Sequence, residues 1–117
     1  MNVEEIRNYC LSLNGTTESF PFDDVTLVFK VGNKMYALLS LDEPLSINLK
    51  CDPEQAIELR ERYPSVRPGY HMNKAHWNTI IVDGCIADSV IQKWIDDSYA
   101  LIVKSLPKYL QQDVTKR

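Results

Sequence analysis

Apolar and polar residues alternate along this chain with two periods, and the switches between them mark its elements. Val3, Ile6, Cys10 and Leu13 fall three or four apart, the stripe of a surface helix with one buried face. Asn2 precedes the stripe and Glu5 stands three residues further on, the pairing of a capping box. Asn14-Gly15 closes it with residues that tolerate a left-handed backbone. A short extended stretch is expected around Phe20-Pro21-Phe22. Residues 27–31 and 34–39 then read as two strands joined by Gly32-Asn33, the positive-angle pair that a two-residue hairpin needs. After a turn at Asp42-Glu43-Pro44, Leu45, Ile47 and Leu49 alternate with Ser46, Asn48 and Lys50, as in a strand with one wet face.

Asp52-Pro53 predicts a second helix, with Asp as its cap and Pro at the first helical position. Its Ala56, Ile57 and Leu59 are expected inward, and Arg60 and Arg62 outward. Residues 65–73 read as extended, turning at Asn73-Lys74-Ala75 into a returning strand over 77–82 that Asp83-Gly84 closes. Asp88 opens the longest helix, whose Ile91, Trp94, Ile95, Ile102 and Leu106 face inward until Pro107 interrupts it. Strands joined by short turns pair antiparallel, because parallel pairing needs a long crossover. The fold class is therefore α+β, a two-layer sandwich in the order α-β-β-β-α-β-β-α, with an antiparallel sheet and helices on one face.

Composition places this pattern in one domain spanning residues 1–117, with 44% apolar and 25% charged residues. The polar tail, residues 111–117, is expected to fray. Cys10, Cys51 and Cys85 form no C-x-x-C pair, so neither a disulfide framework nor a zinc site is expected. No signal peptide is read after Met1, which makes the expected location cytoplasmic. The apolar runs fall short of the roughly 20 residues a membrane span requires. Phosphate-cradling loops, nucleophile elbows and zinc motifs are missing from the sequence. Accordingly no catalytic residue, metal or cofactor is assigned, and the chain is read as a non-enzyme.

The densest chemistry lies in Arg67-Pro68-Gly69-Tyr70-His71-Met72-Asn73-Lys74-Ala75-His76-Trp77-Asn78, which holds both histidines of the protein. From Arg60 to His76 four basic residues stand against Glu61 alone, within a chain of net charge -3. Overall acidity counts against a duplex binder, whose affinity comes from neutralising phosphates; the local charge points the other way. The run 68–78 resembles the signature of the MmcQ/YjbR family. The likeness extends to Phe20-Pro21-Phe22, Leu49-Lys50-Cys51-Asp52-Pro53, Asp83-Gly84, Ser98-Tyr99 and Leu106-Pro107-Lys108. The resemblance implies a fold like that of CyaY or of secretion chaperones. It also implies DNA as the partner, because members of the family are commonly labelled DNA-binding.

On this basis the expected function is a binding module using the 67–78 hairpin, with Arg67, His71, Asn73, Lys74, His76 and Trp77 as candidate nucleic-acid contacts. Arg67 and Lys74 are the candidates for phosphate, with Lys30, Lys34 and Lys50 able to extend the patch or merely to solubilise. Trp77 and Tyr70 either stack on bases or pack beneath the surface, and for Asn73 the favoured reading is a brace for the turn. The alternative is a protein-interaction or chaperone-like module with no nucleic-acid role, which predicts an exposed apolar patch on the sheet or a dimer interface. A small-molecule or enzymatic site around His71 and His76 would require a concave pocket there. The oligomeric state stays open, with a monomer favoured.

Overall fold

The Asn2 side chain accepts the Glu5 N–H at 2.8 Å, and the Glu5 carboxylate accepts the Asn2 N–H at 3.0 Å. This capping box starts α1 (Val3–Ser12) where the sequence places it. The computed structural model describes residues 1–70 and 72–115. The chain continues through β1 (Thr17–Ser19), β2 (Thr26–Val31), β3 (Lys34–Ser40), β4 (Ser46–Lys50), α2 (Pro53–Arg62), β5 (Val66–Pro68), β6 (Trp77–Ile81), α3 (Asp88–Ser105) and α4 (Lys108–Thr115). The strands form one antiparallel sheet in the order β1-β2-β3-β4-β6-β5. Gly32 and Asn33 turn the β2–β3 hairpin with φ of 57° and 66°, as that turn demands.

The helices cover one face of the sheet. Ile6 and Cys10 of α1, and Ile91, Trp94, Ile95 and Ile102 of α3, pack on Phe29, Val31, Leu39, Ile47, Leu49 and Ile80 in the main core. α3 crosses β2, β3 and β4, while α2 lies beside β5 and β6. One irregularity ties the two layers together. The β2–β3 register slips so that Phe29 faces Ala37 but Lys30 faces Met35, leaving Tyr36 as an extra residue. This β-bulge turns Tyr36 and Ala37 both into the core.

The β3–β4 ladder ends at Ala37 opposite Leu49. Beyond it the fully buried Ser98 of α3 takes over. Its Oγ donates to the Tyr36 carbonyl at 2.6 Å and accepts the Lys50 N–H at 2.9 Å. The Tyr36 hydroxyl donates to the Cys10 carbonyl at 3.2 Å, and its ring meets Tyr99 edge-on at 5.3 Å.

Several expectations need correction. Ile57 is 52% exposed; α2 covers only the sheet margin, so Ala56 and Leu59 suffice to fill its narrow buried stripe. Thr17–Ser19 is an additional edge strand. The extended segment after α2 contributes only Val66–Pro68 to the sheet. Pro107 ends α3, but its carbonyl accepts the N–H groups of Leu110 and Gln111, so it also starts α4. Residues 111–115 are consequently helical and bury Val114, while 116–117 lie outside the described residues. Among the described residues no helix is long and apolar enough to cross a membrane.

Candidate binding groove

The pleat sends alternate residues to the face that no helix covers. Ser19, Val28, Leu38, Asn48, Thr79 and Arg67 stand opposite one another in a row across all six strands. Thr26, Ser40, Ser46 and Ile81 form the neighbouring row. Buried on this side, Val28, Leu38 and Trp77 pack with Met35 and Met72 in a second, smaller cluster. Beside that cluster runs a groove of about 670 Å³. Its floor is Leu38, Ser40, Ser46, Asn48 and Thr79; its walls are Phe22, Asp23 and Val25 on the β1–β2 connection and Tyr70 and Met72 on the β5–β6 connection. Asp42 borders this groove and also a second hollow of about 300 Å³, which includes Glu43 and Arg67.

Phe22 is 65% exposed and Tyr70 70% exposed. Two large rings flanking a concavity while standing in water are the sort of exposed apolar surface that marks a contact site. Both walls are anchored. Asp23 Oδ1 accepts the N–H groups of Val25 at 3.0 Å and Thr26 at 2.7 Å, and these bonds, the Val25 N–H first, hold its carboxyl below the usual range. The Tyr70 N–H donates to Thr79 Oγ1 at 3.0 Å, and that hydroxyl donates to Asn48 Oδ1. Gly69 permits the close approach beneath: its N–H donates to the Trp77 carbonyl at 2.9 Å. A Cβ at Gly69 would lie 2.8 Å from Trp77 Cβ and 2.9 Å from Trp77 O. On the floor, the hydroxyls of Ser40 and Ser46 and the Asn48 amide nitrogen bond to no described residue.

The candidate contacts from the sequence divide between groove and support. Arg67 is exposed on β5 and lines the second hollow. Asn73 Oδ1 accepts the Ala75 N–H at 2.9 Å and its carbonyl accepts those of His76 and Trp77, so this side chain braces the turn. Lys74 is exposed; its ammonium reaches the Gly69 carbonyl at 3.5 Å and its own carbonyl accepts from Arg60 at 3.1 Å. His76 is half-buried, and its carbonyl accepts the Cys51 N–H at 2.8 Å. Trp77 is buried and packs within the small cluster, which leaves Tyr70 as the ring this segment presents to solvent. His71 lies outside the described residues. Sequence reasoning missed Phe22, Asp42 and the two methionines. Phe20-Pro21-Phe22-Asp23-Asp24 did carry a signal, since two rings in a turn of Pro and acids belong to no periodic buried face.

Reactive groups are scarce near the groove. Burial pushes the Cys10 thiol up to about 12 and the Cys51 thiol up to about 11, which suits small core residues and not nucleophiles. Cys85 is exposed. Among the described residues no three His, Cys, Asp or Glu side chains gather to hold a metal ion.

Fold and site together define a small two-layer α+β protein whose helix-free sheet face is shaped into a groove. The YjbR family model matches residues 11–101, and the chain belongs to the YjbR family. It is 35% identical over 109 residues to Uncharacterized protein YjbR of Escherichia coli K12, covering 92% of each chain. It is 37% identical over 112 residues to Uncharacterized protein YbdF of Escherichia coli O157:H7, covering 95% of this chain and 92% of that one. The crystal structure of Deinococcus radiodurans protein DR2400 superposes with a TM-score of 0.92 at 40% identity, over 97% of this chain and 88% of that one. A Pseudomonas syringae protein does so at 0.77 and 30% identity, over 87% and 99%.

Proposed function

We propose that this protein is a non-enzymatic binding module that takes an extended segment of another protein into the groove on the open face of its sheet. The observation that carries this reading is the lining, in which Met35, Met72, Phe22 and Tyr70 surround a concavity on an otherwise ordered sheet. Methionine is flexible and polarisable and adapts to varied partners. Aromatic rings supply contact area at little entropic cost. The disengaged Ser40, Ser46 and Asn48 groups of the floor supply partners for a main chain.

Nucleic acid is the second reading, supported by family resemblance and by one feature of the face. Tyr70 is exposed there, and the pleat directs Lys30, Lys50 and Arg67 to the same side. Base stacking on such a ring contributes about 1–3 kcal/mol. It ranks second because Asp23, Asp42 and Glu43 outnumber Arg67 around the two hollows, and carboxylates repel phosphates.

The test titrates isotope-labelled protein with display-selected peptides, and separately measures anisotropy of labelled oligonucleotides at low salt. Peptide shifts should map to Phe22, Leu38, Asn48 and Tyr70. Combined Phe22→Ala and Tyr70→Ala should lower peptide affinity at least about tenfold without changing the fold. If peptides leave that face unperturbed, the first reading is wrong. Salt-sensitive oligonucleotide binding lost in Arg67→Ala would establish the second.

A further inference from the structure

We infer that the bound segment carries a Lys or Arg side chain seated at the Asp42 end of the groove, flanked by apolar residues against Phe22 and Met35. This rests on the peptide-binding reading and specifies the chemistry of the occupant. Asp42 is exposed, lines both hollows, and makes no hydrogen bond or ion pair with any described residue. Glu43 beside it is equally unengaged. Asp23 faces the same groove, and the N–H groups of Val25 and Thr26 favour its ionised form. Arg67, the one cation among the residues lining the two hollows, pairs with none of these carboxylates.

A groove bordered by Phe22, Met35, Tyr70 and Met72, with an uncompensated negative end, selects by charge. The stem of a Lys or Arg is apolar and lies well along rings such as Phe22 and Tyr70 while its head reaches a carboxylate. The cation also gains from a nearby ring face. An acidic side chain in the same place would meet like charge, and a neutral one would gain contact area alone.

The experiment displays three pools of nonapeptides with a fixed central Lys, Gln or Glu against the folded full-length chain. Anisotropy then compares a fluorescein-labelled binder with its Lys→Gln counterpart, on wild type and on Asp42→Asn. The Lys pool should enrich over the other two. Lys→Gln should weaken binding to wild type about three- to fivefold, the range of a partly exposed ion pair, and leave binding to Asp42→Asn unchanged. Raising salt to about 0.5 M should close the gap, because exposed charges are screened. If the Gln or Glu pool enriches equally and binding still depends on Phe22, the charge inference falls while the groove reading stands. If no pool binds, both fall, and single-stranded oligonucleotides binding in their place would assign the face to nucleic acid.

Discussion

Replacing Ser98 with Ala removes one oxygen that serves two backbone groups at the junction of sheet and helix. Ser98 is fully buried, and its hydroxyl bridges the Tyr36 carbonyl and the Lys50 N–H. In Ser98→Ala both groups face a methyl instead. An unsatisfied buried backbone group costs about 1–3 kcal/mol, and the better helix propensity of Ala returns about 0.5 kcal/mol. For two such groups the expected net loss is about 1.5–5.5 kcal/mol. A domain of this size loses roughly 3–6 °C of Tm per kcal/mol, so Tm should fall by roughly 5–30 °C. Urea unfolding followed by circular dichroism measures this directly, with an unchanged m-value as the sign that both states keep their compactness. Ser105→Ala is the control, because the Ser105 hydroxyl donates within its own helix to Ile102 and accepts only a long, exposed bond from the Lys34 ammonium at 3.3 Å, and it should stay within about 0.5 kcal/mol of wild type. A Ser98→Ala protein as stable as that control would refute the claim that α3 completes the interrupted β3–β4 ladder.

Gly69→Ala should cost about 1–3 kcal/mol, the range for overpacking, because the new methyl meets the Trp77 backbone; urea melts and the amide shifts of Tyr70 and Thr79 would register it, and a silent substitution would show that the turn yields freely. With the protein folded at pH 8, Ellman's reagent should modify Cys85 rapidly and Cys10 and Cys51 slowly, since burial both shields those two and raises their thiols to about 12 and 11; rapid reaction of two thiols would contradict that burial. The Arg7 guanidinium holds the Glu18 carboxyl below its usual range through bonds of 2.5 and 2.8 Å. A carboxyl lowered by folding stabilises above its unfolded value, about 4.3, and loses that contribution as pH falls through the folded one. The Tm difference between wild type and Glu18→Gln should therefore be small at pH 7, as suits an exposed pair, and vanish near pH 2.5; an equal difference at both values would assign the effect to packing.

What the sequence disclosed were the features governed by local chemistry. Asn2 with Glu5, Gly32 with Asn33, and Pro53 at the first position of α2 each constrain a few consecutive residues and stand where they were expected, although the Asp52 side chain before Pro53 makes no capping bond. The stripe Ile91, Trp94, Ile95 and Ile102 is long enough to fix which side of α3 is buried. Features decided by distant partners stayed hidden. Thr17–Ser19 has no apolar pattern and is a strand only because β2 pairs with it. The run Met35-Tyr36-Ala37-Leu38-Leu39 is apolar throughout, so no alternation betrays the bulge at Tyr36. Of the candidate site, Arg67 and Tyr70 were legible as unusual residues on one turn. The opposite wall at Phe22 comes from a loop 48 positions earlier, and only the strand order of the sheet brings the two together.

The two sides of the sheet are insulated very unequally: helices and a broad core seal one, whereas a handful of side chains and a turn shelter the other. A molecule arranged this way can diversify what it recognises at little risk to its integrity, because Phe22, Asp42 and Tyr70 project from the lightly sheltered side. Grafting altered loops at 20–24 and 69–72 onto an unchanged helical layer is thus a practical route to retargeting the scaffold.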